Sequence, residues 1–172
     1  MVVRSGVTYF DVCPSPVGDL VLMSDGRSLT GLMMTNQRHT QGVQPGWVRE
    51  SGPFVEARSQ LGQYFAGERT EFDLELSPAG TPFQVEVWRT LRDIPYGTTI
   101  NYGELAKRIG NANASRAVGA ANGRNPIGII VPCHRVIGAN GSLVGYGGGL
   151  ERKKALLALE QETLVKRGQR LL

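Results

Sequence analysis

A run of helical signals fills residues 81–123, which read TPFQVEVWRTLRDIPYGTTINYGELAKRIGNANASRAVGAANG. Thr81 can cap a helix, and the proline that follows it suits the first helical position. Pro95-Tyr96-Gly97 ends this first helix. Two shorter helices are predicted at residues 102–109 and 115–123, joined by a turn of Gly, Asn and Ala. This arrangement is typical of a helix-turn-helix unit that binds DNA.

The part of the chain after this unit carries the chemically reactive side chains. An apolar run at residues 127–131 predicts a buried strand, and Pro132-Cys133-His134-Arg135 follows it directly. A glycine-rich stretch spans residues 138–149, and a last helix is predicted at residues 150–161. The basic tail beyond Thr163 is expected to be mobile.

The first part of the chain predicts antiparallel strands and one helix. The predicted elements are strands at residues 7–13, 19–24 and 28–34, a surface loop at 36–52, a helix from Pro53 to Gly67 and a strand at 70–76. The chain is therefore expected to be an α+β protein. It would comprise an N-terminal antiparallel-sheet lobe with one helix (residues 1–78) and a mainly helical C-terminal lobe (residues 79–172) with the helix-turn-helix and the active-site strand.

Charge is divided unevenly between the two lobes. Residues 1–76 contain six Lys and Arg residues against nine Asp and Glu, and residues 77–172 contain 13 against six. A polyanion such as DNA would bind the basic half. Charge alone leaves open the alternative that these residues only make the surface soluble.

Several classes of protein are excluded by composition. No apolar stretch approaches the roughly 20 residues of a membrane-spanning helix, and residues 1–16 lack the features of a signal peptide. We expect a cytoplasmic protein with no membrane partner. The two cysteines and two histidines include no closely spaced ligand pairs, so no disulfide, metal or cofactor is expected. Cys13 is interpreted as a strand cysteine.

Cys133 is the candidate nucleophile. A thiol attacks as its thiolate, so it needs a base or a positive charge nearby, and His134 and Arg135 can supply these. Adjacent residues of a strand face opposite sides, so Cys133 and His134 would communicate only at a strand end or through water. A purely structural buried cysteine is an equal alternative from these residues alone.

The segment Val131-Pro132-Cys133-His134-Arg135-Val136-Ile137 resembles the active-site signature of the O6-alkylguanine-DNA alkyltransferases. Other segments are similar to that family in the same order: residues 83–88, Ile94-Pro95-Tyr96-Gly97, Tyr102-Gly103-Glu104-Leu105-Ala106, Arg116-Ala117-Val118-Gly119, Asn125-Pro126, Gly145-Tyr146-Gly147-Gly148-Gly149 and Leu156-Leu157-Ala158-Leu159-Glu160. The resemblance is strong over residues 80–161 and loose before them. It implies direct-reversal DNA repair, in which Cys133 takes the alkyl group of O6-alkylguanine irreversibly and once.

The resemblance also implies catalytic roles for five residues. Cys133 would be the acceptor, His134 would take the thiol proton through a water molecule, and Glu160 would orient the histidine. Tyr102 would donate a hydrogen bond to N3 of the departing guanine, and Asn125 would brace the turn before the active site. Without the resemblance, Glu160 would be interpreted as an exposed acid and Tyr102 as a core residue.

Binding of DNA is expected at the second short helix. By resemblance, Arg116 fills the gap left by a flipped-out nucleotide, and small neighbours permit entry into the minor groove. The expected DNA contacts are Tyr102, Ser115, Arg116, Ala117, Gly119 and Ala120, and the guanine pocket is expected to be lined by Tyr102, Val136, Tyr146, Gly147 and Gly148. Candidate phosphate contacts are Arg108, Arg124 and Arg135, with a structural role as the alternative for Arg135. Tight helix packing is the alternative explanation for the alanines.

Three other functions fit parts of the pattern. The first is a non-catalytic sensor of alkylated DNA, although relatives of that kind carry another residue at the position of Cys133. The second is a dimeric helix-turn-helix regulator, which the alanine-rich helix disfavours. The third is a cysteine hydrolase. We expect a monomer that binds duplex DNA containing O6-alkylguanine; the sequence leaves open repair of O4-alkylthymine and cooperative assembly on DNA.

Overall fold

Alternating apolar residues build the N-terminal sheet. In a computed structural model, which describes residues 5–168, the first three strands are β1 (Tyr9–Cys13), β2 (Leu20–Ser24) and β3 (Leu29–Met34). Every second residue of β1 and β2 is buried, as a sheet with one covered face requires. The strands pair antiparallel in the order β3-β2-β1, and the short β4 (Val48–Arg49) adds to β1 in parallel.

One helix accompanies this sheet. A short 3₁₀ turn at Gly52–Phe54 leads into α1 (Val55–Phe65), which ends before Gly67 with a positive φ of 75°. The buried face of α1 includes Leu61 and Tyr64, and both residues belong to the hydrophobic core that the strands also enter.

The C-terminal lobe is organised around three helices: α2 (Pro82–Leu91), α3 (Tyr102–Arg108) and α4 (Ser115–Gly123). Thr81 caps α2 in a reciprocal capping box with Gln84. The helices α3 and α4 pack on each other and on α2, and the indole of Trp88 donates to the carbonyl of Ala121 at 2.8 Å. The expected helix-turn-helix is thus present.

The active-site segment connects these helices to the last one. A 3₁₀ turn at Cys133–Arg135 runs into β6 (Val136–Ile137), which pairs in parallel with β5 (Ile100–Asn101). The final helix, α5, spans Leu150–Lys166. It therefore continues beyond Thr163, where a mobile tail was expected; residues 169–172 of that tail lie outside the described residues.

The α+β prediction is confirmed, but two predicted strands are wrong. Residues 70–76 form only an isolated bridge to β3 at Leu76, and residues 127–131 form consecutive turns in which Ile129 has a φ of 69°. The strand at residues 70–76 is predicted from alternation and the strand at residues 127–131 from an apolar run, and both patterns report burial without distinguishing a strand from other buried backbone. The predicted surface loop at residues 36–52 also contains β4.

The two lobes share one hydrophobic core. The backbone N–H of Leu32 in β3 donates to the carbonyl of Pro126 at 2.8 Å, and Leu32 bridges to Ile127. The sheet therefore supports the chain just before the active-site turn. Within residues 5–168, no helix combines the length and the apolar character needed to cross a membrane.

Candidate active site

A tight 3₁₀ turn displays Cys133, His134 and Arg135. The turn is closed by hydrogen bonds from Cys133 N to Val131 O (2.8 Å) and from Arg135 N to Pro132 O (3.0 Å). With three residues per turn, successive side chains fan out in three directions. The active-site segment is therefore a turn and not the expected strand. In a turn, Cys133 and His134 need not face opposite sides.

Glu160 lies at the centre of a buried hydrogen-bond cluster. Its side chain is 0% exposed, which rules out the interpretation as a solvated acid. It accepts five hydrogen bonds: from His134 Nε2 (2.7 Å), Arg135 Nε (2.9 Å), Arg135 Nη2 (3.0 Å), Gly97 N (3.0 Å) and the Tyr64 hydroxyl (2.7 Å). These donors satisfy a charge that burial alone would make very costly.

The hydrogen bonds of Glu160 determine which nitrogen of His134 carries the proton. Burial acts to raise the pKa of Glu160, but its bonds and charge interactions with His134 and Arg135 hold that pKa well below its usual value. Because the ionised carboxylate can only accept, His134 Nε2 must donate. Burial lowers the pKa of His134, so the ring is neutral near pH 7. Its Nδ1 is buried without a hydrogen-bond partner among the described residues and can take a proton.

Cys133 is a protonated thiol at rest. Burial raises the pKa of its thiol, while the hydrogen bond of Asn125 and the charge of Lys153 act to lower it. The attacking species is the thiolate, so a base must remove the proton of the Cys133 thiol during the reaction. The cysteine is buried at the edge of the hydrophobic core, with 6% of its surface exposed, and it lines a small cavity.

Lys153 is a buried cation that the sequence analysis missed as a site residue. Its side chain is 0% exposed, and Nζ donates to the carbonyls of Val136 (2.6 Å) and Val144 (2.9 Å). Burial lowers the pKa of Lys153, and the interaction with Cys133 raises it. The ammonium is therefore placed to stabilise a thiolate. A lysine beside a second lysine in a helical pattern gives no signal of burial.

Two asparagines hold the backbone on either side of the active-site turn. Asn125 Nδ2 donates to Val131 O (2.8 Å), and Asn125 Oδ1 accepts from Ile127 N (3.0 Å). Asn122, at the end of α4, donates to the carbonyl of Cys133 at 3.5 Å. The position of the thiol is thereby coupled directly to the helix-turn-helix.

Two neighbouring cavities, together called the cleft, lie between the thiol and the surface beside α4: an inner one of about 10 Å³ and an outer one of about 310 Å³. The inner part is lined by Cys133, Asn122, Asn125, Gly128 and Gly148, and the outer part by Tyr102, Gly119, Ala120, Arg38 and His39; the two parts share Gly123, Tyr146 and Gly147. A Cβ atom on Gly148 would lie 2.6 Å from Met34 Sδ, so only glycine fits there. The Tyr102 hydroxyl donates to Val144 O (3.3 Å) at the mouth of the cleft.

The expected DNA contacts lie on one side of α4. Arg116, Ala117 and Ala120 are exposed, and Ser115 and Gly119 are partly exposed, whereas the opposite face of α4 is buried against the protein. This surface adjoins Tyr102. The alanines exposed here do not serve tight helix packing.

Other expectations differ from the structure. Val136, predicted to line the guanine pocket, is 0% exposed and lines neither part of the cleft, because it is paired in the β5–β6 sheet. Arg135, a candidate phosphate contact, is buried against Glu160 and also donates to Ile94 O (2.7 Å). Arg38 and His39 were missed because their polar segment has no periodic pattern.

Together these features define a class of protein: a helix-turn-helix protein with a buried cysteine at the inner end of a cleft beside its second helix. A neutral histidine oriented by a buried carboxylate lies on the same turn as the cysteine. The class acts on DNA with a thiol nucleophile. Among residues 5–168, no cluster of His, Cys, Asp and Glu has the arrangement of a metal site.

Comparisons with known proteins identify the family. Sequence models of two domains of the 6-O-methylguanine DNA methyltransferase family match this chain. The DNA binding domain matches residues 82–162, and the ribonuclease-like domain matches residues 8–78. The methylated-DNA–protein-cysteine methyltransferase of Mycobacterium leprae is 56% identical over 151 residues, which cover 88% of this chain and 91% of that protein. The protein of the same name from Methanosarcina acetivorans is 52% identical over 152 residues, 88% of this chain and 97% of that protein.

A solved structure of a relative matches this chain over both lobes. The crystal structure of Mycobacterium tuberculosis OGT in complex with DNA matches with a TM-score of 0.85 and 53% identity, covering 90% of this chain and 94% of that chain. This chain belongs to the 6-O-methylguanine DNA methyltransferase family, so the family predicted from the sequence motifs is confirmed.

Proposed function

We propose that this protein repairs O6-alkylguanine in duplex DNA by transferring the alkyl group to Cys133. Relatives that are 56% and 52% identical to this chain carry the name methylated-DNA–protein-cysteine methyltransferase, and in this proposal each molecule of the protein reacts once. One observation carries the assignment to Cys133: the thiol lines the inner part of the cleft beside α4, and His134, on the same turn, is paired with the buried Glu160 of α5.

The residues of the site suit an in-line displacement. The proton of the Cys133 thiol passes to His134 Nδ1 through a water molecule, and Glu160 stabilises the resulting imidazolium. The sulfur then forms a bond to the alkyl carbon while the bond from that carbon to O6 breaks, and its electron pair goes to guanine. The Tyr102 hydroxyl, whose pKa is raised by burial, stays protonated and donates to N3 of the leaving base. The thioether product is not hydrolysed, so the protein stops after one transfer.

The target base must leave the DNA stack to reach the thiol. In this proposal Arg116 fills the vacated space, and the exposed small residues of α4 admit the helix to the minor groove. Tyr146, Gly147 and Gly148 line the cavity beside Cys133, whose volume of about 10 Å³ holds only one water molecule, so these walls must move apart when the guanine enters.

DNA is the partner of this protein, and one chain carries the whole proposed site. We therefore propose a monomer in solution, with the division at residues 78 and 79 separating the sheet lobe from the lobe that binds DNA. Cys13 and Cys133 are both free thiols. Free thiols agree with a reducing compartment, and we place the protein in the cytoplasm.

Mass spectrometry tests the proposed function. After incubation with duplex DNA containing O6-methylguanine, the peptide that contains Cys133 is expected to gain about 14 Da, since one methyl group replaces the thiol proton. The Cys13 peptide is an internal control and should stay unmodified. If the Cys133 peptide gains no mass while the lesion is bound tightly, the protein is a non-catalytic sensor.

Arg116→Ala tests the base-flipping proposal. We expect single-turnover transfer to slow about tenfold at saturating DNA, because the flipped-out state loses the side chain that replaces the base, and unstacking costs a few kcal/mol. Arg27→Ala, which removes an equally exposed positive charge in the N-terminal lobe, serves as the control. Equal transfer rates in both variants would reject the role of Arg116.

A further inference from the structure

Glu160 receives one of its hydrogen bonds from the other lobe. The Tyr64 hydroxyl of α1 donates to Glu160 Oε2 at 2.7 Å, across 96 positions of the chain. The same oxygen accepts from His134 Nε2, also at 2.7 Å. Both Tyr64 and Glu160 are 0% exposed. Tyr64 lines neither part of the cleft, so it meets the reaction only through the carboxylate.

Aromatic packing fixes the direction of this hydroxyl. The Tyr64 ring lies edge-on to Phe65 (5.2 Å between ring centroids) and to Tyr96 (6.1 Å), and it is tilted against Phe72 (5.4 Å). A ring held on three sides cannot swing its hydroxyl away without disturbing the core. The donor is therefore in place before any substrate binds, as a positioning group must be.

Tyr64 acts as a neutral donor. Burial, followed by the negative charge of Glu160, raises the pKa of Tyr64 well above its usual value, so the hydroxyl keeps its proton. It therefore shares the carboxylate with His134 without adding charge. The other groups that interact electrostatically with Glu160 or His134 are Arg135, Lys153, Tyr96 and Tyr146, from the active-site turn, α5, the segment after α2 and the glycine-rich segment before α5.

We propose that Tyr64 is a positioning residue for alkyl transfer, which holds the Glu160 carboxylate in the orientation that presents His134 as the base for Cys133. The proposal rests on the proposed function and deepens it. It makes the N-terminal lobe a working part of the acceptor site, because the hydroxyl reaches Glu160 only when α1 is packed against α5.

Tyr64→Phe tests this role, since it removes the hydroxyl and keeps the ring. We expect single-turnover transfer at the plateau pH to slow about fivefold, the effect of one lost hydrogen bond. The acid limb of the pH profile should move to higher pH. Without the competing donor, Glu160 Oε2 binds His134 more strongly, which favours the protonated ring and raises the pKa of His134.

Two comparisons separate positioning from general packing. Tyr9→Phe removes the hydroxyl of another buried tyrosine, which lies in β1 and is not one of the five hydrogen-bond donors to Glu160 described above, and it should leave both the rate and the pH profile unchanged. In a Glu160→Gln background, Tyr64→Phe should change the rate less than about twofold, because the ionised acceptor is gone. Circular dichroism would verify that each variant is folded.

Nitrogen NMR gives a readout that does not depend on transfer. The chain contains only two histidines, His39 and His134, so their ring signals are readily assigned. The His134 titration should move to higher pH in Tyr64→Phe.

Defined outcomes would overturn the proposal. A wild-type rate with an unmoved pH profile and an unmoved His134 titration would exclude a role of Tyr64 in positioning. Equal slowing in the wild-type and Glu160→Gln backgrounds would show that the hydroxyl does not act through the carboxylate. Failure of the wild-type protein to become methylated would instead reject the proposed function, so the two failures are distinguishable.

Discussion

Cys133→Ser is expected to abolish alkyl transfer while lesion binding is retained. A serine hydroxyl at this position is a far weaker nucleophile than a thiolate, and loss of the nucleophile typically lowers a rate by more than about a thousandfold. The replacement is nearly isosteric, and the cleft and α4 are unchanged. The dissociation constant for duplex DNA containing O6-methylguanine should therefore stay within about twofold of the wild-type value. This change is smaller than the loss of one hydrogen bond would cause. Mass spectrometry and gel shift measure the two properties.

Cys13→Ser is the matched control, because Cys13 is the other free thiol and lies in β1, away from the cleft. It should transfer at the wild-type rate. A Cys133→Ser protein that still gains a methyl group would show that another side chain is the acceptor, and the assignment of the nucleophile would be wrong.

Arg135→Leu is expected to lower the free energy of unfolding by about 3–5 kcal/mol at neutral pH, since it leaves a buried carboxylate without its charged partner. The change removes two hydrogen bonds to Glu160 and one to Ile94 O. Urea denaturation measures the loss. Arg49→Leu is the control, because Arg49 pairs with Asp11 while its own side chain is 63% exposed. Such a surface pair contributes about 0–1 kcal/mol.

The loss in Arg135→Leu should depend on pH in a defined direction. Without the guanidinium, the depressed pKa of Glu160 rises, so the buried group can be neutralised by taking up a proton. Its stabilising contribution as a carboxylate is present at higher pH and is lost as pH falls through the folded-state pKa. The difference between wild type and variant should therefore shrink toward low pH. A difference no larger than that of Arg49→Leu would show that Tyr64, Gly97 and His134 suffice for Glu160.

Local signals located the helices of the C-terminal lobe well. The helices predicted at residues 102–109 and 115–123 are observed at Tyr102–Arg108 and Ser115–Gly123. Caps and turn residues act on the nearest few peptide groups, so they can be recognised from neighbours in the chain. The alternating residues 70–76 and the apolar run at residues 127–131 were wrongly predicted as strands, because their backbone is set by distant partners such as Leu29 and Leu32.

The family, the helix-turn-helix and the candidate nucleophile can be predicted from the sequence, because they depend on local signals and on contiguous motifs. The environment of that nucleophile depends on the tertiary structure. The packing of α5 against the rest of the molecule buries Glu160 and Lys153 and brings Tyr64 to the carboxylate from a distant helix. Desolvation and long-range hydrogen bonds set the protonation states of Cys133 and His134, and both arise only when residues far apart in the chain exclude water together.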